Sequence, residues 1–129
     1  MAEGLLNHYC PPQFQAQSAG IQKTKLHPLA VTVMNEIGID ISKHYSKHLD
    51  EINETDFDIV VTVCDQARES CPFFPGKNVM HKGFADPSSI TGSTEEKRNA
   101  FRKSRDEIKH LHYQHLLSYS RQYRGLDTI

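Results

Sequence analysis

One short run decides much of the architecture of this 129-residue chain: Ile59-Val60-Val61-Thr62-Val63-Cys64, set behind Asp58. Apolar and β-branched residues follow one another almost without a break, so the run lacks the alternation of a strand with one wet face. It predicts a strand covered on both faces, as in a parallel sheet flanked by helices. In open α/β sheets ligands bind at the carboxyl ends of the strands, and this strand would deliver Cys64 to that rim.

The rest of the chain alternates helical and extended patterns around the run. Ala2, Leu5, Leu6 and Tyr9 fall at helical spacing, and Cys10-Pro11-Pro12 ends that helix. Phe14-Gln15-Ala16-Gln17-Ser18 alternates and is closed by Ala19-Gly20, which predicts a strand. Ile21 to His27 is polar, basic and read as loop. Pro28 suits a first helical turn, Leu29, Val33, Met34 and Ile37 then form one apolar face, and Gly38 suits the helix end. Ile39-Asp40-Ile41 leads into a polar, His-rich segment, Ser42 to Glu54, with room for one short helix. Pro72, Pro75 and Gly76 mark a loop, and Val79-Met80-His81 supplies a further short strand. Ser93 and Glu96 match a capping box. The long helix they open carries Phe101, Ile108, Leu111, Tyr119 and either His115 or Leu116 on one side. The charged stretch Arg102 to Lys109 is read as mostly its solvated face, and the tail after Arg121 as frayed. Alternating helix and strand predicts an α/β fold with a parallel sheet, in one domain spanning residues 1–129.

Charge removes several classes of function. Fifteen Lys and Arg stand against 16 Asp and Glu, a net of −1, which takes away the electrostatic reason to expect a nucleic-acid or anionic-membrane binder. The apolar share, 37%, supports a packed core rather than disorder. No apolar run approaches the ~18–20 residues of a membrane span, and the first residues do not read as a signal peptide. Three cysteines are too few for a secreted disulfide scaffold, so a cytoplasmic location is expected.

Cys64 and Cys71 stand seven positions apart. If the residues between them are helical, that offset is about 10 Å of rise, beyond the ~7 Å between Cα atoms that a disulfide tolerates. A bridge would require the segment to unwind, giving a reduced helical state and an oxidised looped one. On spacing alone two unrelated cysteines, one buried at a strand end and one incidental, are the plainer reading. Zinc is a further reading, because eight histidines accompany the thiols. His44 and His48 at i,i+4, and His112 and His115 at i,i+3, could share helical faces. Structural zinc usually takes Cys pairs two to four residues apart, and none occurs; exposed histidines on polar helices are the plainer explanation. Cys10 has neither a partner nor a basic cradle and is read as inert. Asp86-Pro87 fixes a carboxyl on an extended loop, where it could act as a general acid if partly desolvated; a plain turn is the simpler reading of the dipeptide.

Met1-Ala2-Glu3-Gly4, Ser18-Ala19-Gly20, His27-Pro28-Leu29-Ala30, Gly38-Ile39-Asp40-Ile41-Ser42, the Cys64/Cys71 pair before Pro72, Asp86-Pro87 and Arg105-Asp106-Glu107-Ile108 follow one another in register. Together they resemble the thioredoxin-coupled arsenate reductases of the low-molecular-weight tyrosine phosphatase superfamily, from Met1 to about Leu117. The resemblance implies a three-layer α/β sandwich whose small parallel sheet has four strands in the order 2-1-3-4. It also implies a relay of three thiols. A cysteine in a Cys-x5-Arg phosphate loop attacks arsenate while Asp86 protonates the departing oxygen. Cys64 then attacks that sulfur and releases arsenite, Cys71 attacks Cys64, and thioredoxin reduces the final disulfide. No other cofactor is implied. The oxyanion and thioredoxin are the implied partners of a monomer.

The departures from the family pattern are specific. Ala16, Ser70 and Lys77 stand six residues after the three cysteines, so the chain holds no Cys-x5-Arg. In the family that loop and the first strand precede the Met-Ala-Glu-Gly motif. The expectation is that Met1 is an internal methionine of a longer protein, and that the chain alone does not reduce arsenate. His81 is followed by Lys82 where the family often has His-Trp. Glu3 and Ser18 match ligands of a potassium ion held by some members, but Lys47 replaces an Asp; an ammonium in the ion's place predicts potassium independence. The competing readings are a phosphotyrosine phosphatase, which gives the cysteine pair no purpose, and a non-catalytic remnant or a metal- or partner-binding protein.

Overall fold

The computed structural model describes residues 1–10, 12, 14–20, 22–52, 57–63 and 76–111, with residues 76–79 described by their backbone. Three helices and two strands make up the regular structure: α1 (Ala2–Tyr9), α2 (Pro28–Asn35), β1 (Phe57–Thr62), β2 (Gly76–His81) and α3 (Thr94–Leu111). Single 3₁₀ turns at Leu49–Glu51 and Pro87–Ser89 punctuate the loops. The fold is α/β with a small parallel sheet, as the alternating patterns predict. No helix among the described residues is long and apolar enough to cross a membrane.

β1 realises the β-branched run and pairs with β2 in parallel, Phe57 opposite Gly76 and Thr62 opposite His81. The second strand begins earlier than Val79, so Gly76 belongs to the sheet rather than to the loop before it. Burial corrects the expectation of a strand covered on both faces. Ile59, Val60, Val61 and Thr62 are each only partly buried. The reason is where the apolar mass sits: Leu5, Ala30, Val33, Met34, Ile39, Ile41, Phe101 and Ile108 form the core, contributed by the three helices and the extended stretch after α2.

That stretch is aimed by the end of α2. Gly38 has φ of +79°, which costs glycine nothing. Its N–H donates to the Asn35 carbonyl while the Ile39 N–H reaches back to Met34, the paired bonds of a Schellman motif. Ile39 and Met34 then pack together in the core. At the other end of α2, His27 caps the helix, its Nδ1 accepting from the Leu29 N–H at 3.1 Å, and Pro28 takes the first position. The α3 capping box is present: Ser93 N–H donates to Glu96 Oε2 at 2.7 Å, and Glu96 N–H to Ser93 Oγ at 3.2 Å.

Three expectations are corrected. Phe14–Ser18 is not a strand of the sheet, because its backbone bonds to side chains of α1 instead of to a neighbouring strand. Asn7 brackets Ala16, donating from Nδ2 to its carbonyl at 3.1 Å and accepting its N–H at 2.8 Å. Glu3 Oε2 accepts the Ser18 N–H at 2.8 Å. Only beyond it does strand-like pairing occur, in an isolated parallel bridge between Gly20 and His48. Arg105 is not on a solvated face. It is buried beside Ser104, donating to the Val33 carbonyl at 2.8 Å, to Glu36 at 3.1 Å and to Asp106 at 2.8 Å. The last turn of α2 leaves carbonyls without helical partners, and the guanidinium satisfies one of them. Finally, His44 and His48 do not share a helical face. Residues 44–47 are non-helical, and His48 Nδ1 caps the next turn by accepting from the Asp50 N–H. His112 and His115 lie outside the described residues.

Candidate functional site

Because β1 and β2 run parallel, their carboxyl ends reach the same edge of the sheet. The ladder continues past both strands: Lys82 N–H donates to the Thr62 carbonyl at 2.9 Å, and Phe84 N–H to the Val63 carbonyl at 3.0 Å. Across this end Thr62 Oγ1 and His81 Nδ1 share a hydrogen bond of 2.8 Å. Backbone pairing thus ties the loop that carries Asp86 to the residue immediately before Cys64 in sequence. Cys64 and Cys71 themselves lie outside the described residues.

Asp86 is exposed, and its carboxylate closes a turn. Oδ1 accepts from the Ser88 N–H at 2.9 Å and from Ser88 Oγ at 2.7 Å. Ser89 holds the Asp86 carbonyl, with Oγ at 2.7 Å and N–H at 3.2 Å. Buried Ser104 on α3 reaches the Ala85 carbonyl at 3.5 Å, so the long helix supports the loop from beneath. The plain-turn reading of Asp86-Pro87 is what this geometry displays: the aspartate closes a turn on an exposed loop, without the partial desolvation that the general-acid reading asked for. Reading the sequence missed Ser88 as its partner. The available signal was an aspartate followed two residues on by serine, since such carboxylates bond local backbone and hydroxyl groups.

A second cluster lies at the first turn of α1. Ser18 Oγ donates to Glu3 Oε2 at 2.6 Å, and Lys47 Nζ approaches Oε2 at 3.2 Å and Oε1 at 3.4 Å. Glu3 and Lys47 are largely withdrawn from solvent, with side chains 17% and 19% exposed. Burial works against the Glu3 charge, but hydrogen bonds from Ser18 and Lys47 outweigh it and hold the carboxyl below its ordinary range. The ammonium thus occupies the place at which the sequence led us to expect it. Cys10 is a free thiol on the other end of α1, and burial pushes its pKa up, away from the reactive thiolate.

Among the described residues, two parallel strands that share a carboxyl rim and helices packed into an apolar core define an α/β fold. The chain belongs to the low molecular weight phosphotyrosine protein phosphatase family, whose model matches residues 1–124. Among its relatives are proteins named arsenate reductase. The one from Shouchella clausii (strain KSM-K16) is 43% identical over 111 residues, covering 84% of this chain and 78% of the relative. The one from Bacillus subtilis (strain 168) is 41% identical over 109 residues, with the same two coverages. A solved arsenate reductase in its reduced state superposes with a TM-score of 0.70 at 24% identity, covering 92% of this chain and 87% of that one; this is a likeness of fold.

Proposed function

We propose that this chain is an arsenate reductase-type domain, one unit spanning residues 1–129, that takes part in reducing arsenate to arsenite with electrons from thioredoxin. The observation that carries the reading is the identity of up to 43% to proteins named arsenate reductase, over 84% of the chain. A phosphatase is not favoured by those relatives, and it would leave the Cys64/Cys71 pair without a use.

The reaction balances as a two-electron transfer. A thiolate forms a bond to arsenic while an oxygen leaves as water, its proton supplied by Asp86. Cys64 attacks the sulfur of that adduct; the S–As bond breaks, its electron pair stays on arsenic, and arsenite departs as a disulfide forms. Cys71 attacks Cys64 and carries the disulfide onward, and a dithiol of thioredoxin is oxidised to restore both thiols. The first thiolate needs a Cys-x5-Arg loop, which the 129 residues do not contain. The chain alone is then a half-relay, handling the disulfide without the arsenate step.

Two measurements test this. Mild oxidation of the 129-residue chain, followed by thiol counting and peptide mapping, should give a Cys64–Cys71 disulfide with Cys10 still free, and thioredoxin should reduce it. Three free thiols after oxidation would exclude the half-relay. Joining the strand and phosphate loop of the Bacillus subtilis relative ahead of Met1 should create arsenate-dependent oxidation of thioredoxin. Asp86→Asn in that protein should lower kcat by about 10²–10⁴-fold, the range usual for a lost general acid. Unchanged turnover would remove Asp86 from the chemistry.

A further inference from the structure

We propose that Ser88 is the positioning residue of Asp86, holding Oδ1 as the proton-free oxygen so that Oδ2 carries the proton to be delivered. This rests on reading Asp86 as the general acid and adds which oxygen works and what sets it.

The argument is one of donors and acceptors. Two hydrogens point at Oδ1, from the Ser88 N–H at 2.9 Å and from its hydroxyl at 2.7 Å. A proton on Oδ1 would have to sit against both, and the two bonds would be lost. A proton on Oδ2 leaves both intact. The backbone on either side of Asp86 is already fixed, by the Ser104 hydroxyl on the Ala85 carbonyl and by Ser89 on the Asp86 carbonyl. Farther back, the Phe84 N–H is fixed to the Val63 carbonyl. The remaining freedom is rotation of the side chain, which the two Ser88 bonds remove. Its hydroxyl makes the shorter of the two and is the one that a substitution can delete. In the proton transfer, the Oδ2–H bond breaks and the hydrogen passes to a hydroxyl oxygen of arsenate. That oxygen leaves as water when the thiolate bonds to arsenic, and Asp86 remains as the carboxylate that Ser88 continues to hold. A carboxyl held in one rotamer needs no reorganisation at the moment of reaction.

The test needs no turnover and uses the 129-residue chain. Hα–Hβ couplings of Asp86 in solution should fit a single staggered rotamer in the wild type rather than an average over the three. Ser88→Thr keeps the hydroxyl and should keep that pattern. Ser88→Ala should lose it, giving averaged couplings while the melting temperature stays within about 2 °C. Should Ser88→Ala not fold, Ser88→Cys carries the same comparison, because a thiol is a poor donor. Averaged couplings in the wild type, or an unchanged pair in Ser88→Ala, would overturn the proposal. Failure of Asp86 as the acid is read separately, in the turnover of Asp86→Asn, so the two results remain distinguishable.

Discussion

Glu3 receives three donors on one carboxylate, two from Ser18 and one from Lys47, and they fasten two parts of the chain to α1. Ser18 brings the extended segment, Lys47 brings the loop before the Leu49–Glu51 turn, and Glu3 itself belongs to the first helical turn. Removing the ammonium strands a carboxylate that is only 17% exposed, which is the expensive way to break such a pair. Lys47→Met should therefore destabilise the protein by about 1–3 kcal/mol in urea denaturation, against a few tenths for a surface lysine. From the resemblance to family members that hold a potassium ion, the expectation is that the Lys47 ammonium replaces that ion. Thermal melts in potassium and in sodium at equal ionic strength should coincide, and a clear gain in potassium would mean that Lys47 does not fill the site. This residue was legible in advance because the family pattern places oxygen ligands at Glu3 and Ser18, and a lysine among them has few other things to do. Arg105 was not legible in that way. Its partner, the Val33 carbonyl, is chosen by how two helices meet, and no periodicity in the sequence encodes a bond from a side chain to a distant backbone.

Among the elements, two glycines separate space from backbone conformation. A Cβ on Gly4 would stand 2.7 Å from Ile41 Cγ2 and 3.2 Å from Met34 Cε. Ile41 is fully buried, so the methyl has little room to move aside. Alanine gains about 1 kcal/mol of helix propensity, and overpacking costs about 1–3, so Gly4→Ala should be net destabilising by roughly 1 kcal/mol. Gly38 has nothing within 4 Å of its Cβ position, yet its positive φ makes alanine strained there, again by about 1 kcal/mol. Equilibrium unfolding of the two variants checks both; a stabilised Gly4→Ala would show that α1 can shift on its neighbours. The helix ends and β1 were readable because their signals are local: a capping box at Ser93, glycine after α2, and β-branched residues in series. Phe14–Ser18 misled because alternation describes an extended backbone without naming its partner. Here that partner is the side chain of Asn7, which supplies one donor and one acceptor as a neighbouring strand would.

At the scale of the molecule, α2 and α3 are joined by a charged cluster as well as by the core. Arg102 grips Glu36 through three bonds of 2.6–3.1 Å, Arg105 adds a fourth at 3.1 Å, and Arg102 extends the network to Glu95. Hydrogen bonds from Arg102, helped by Arg105, hold the Glu36 carboxyl down at about 2. A depressed carboxyl binds fewer protons in the folded than in the unfolded chain, so its contribution is complete above about 4.5 and is lost as pH falls toward 2. In urea titrations across that window the wild type should lose stability faster than Glu36→Gln, and the gap between them should close. Parallel pH curves for the two proteins would show that the cluster contributes nothing at any pH.

Among the described residues the helices pack on one another and the strands on each other, while the apolar mass lies with the helices. The sheet edge that leads to Asp86 is thus held by its own ladder, with α3 touching the loop beyond it. Local opening should start there, with amides of β1 and of Phe84 exchanging in deuterated buffer ahead of those in α2 and the middle of α3. A molecule built this way can loosen at its strand edge while its helical half stays shut.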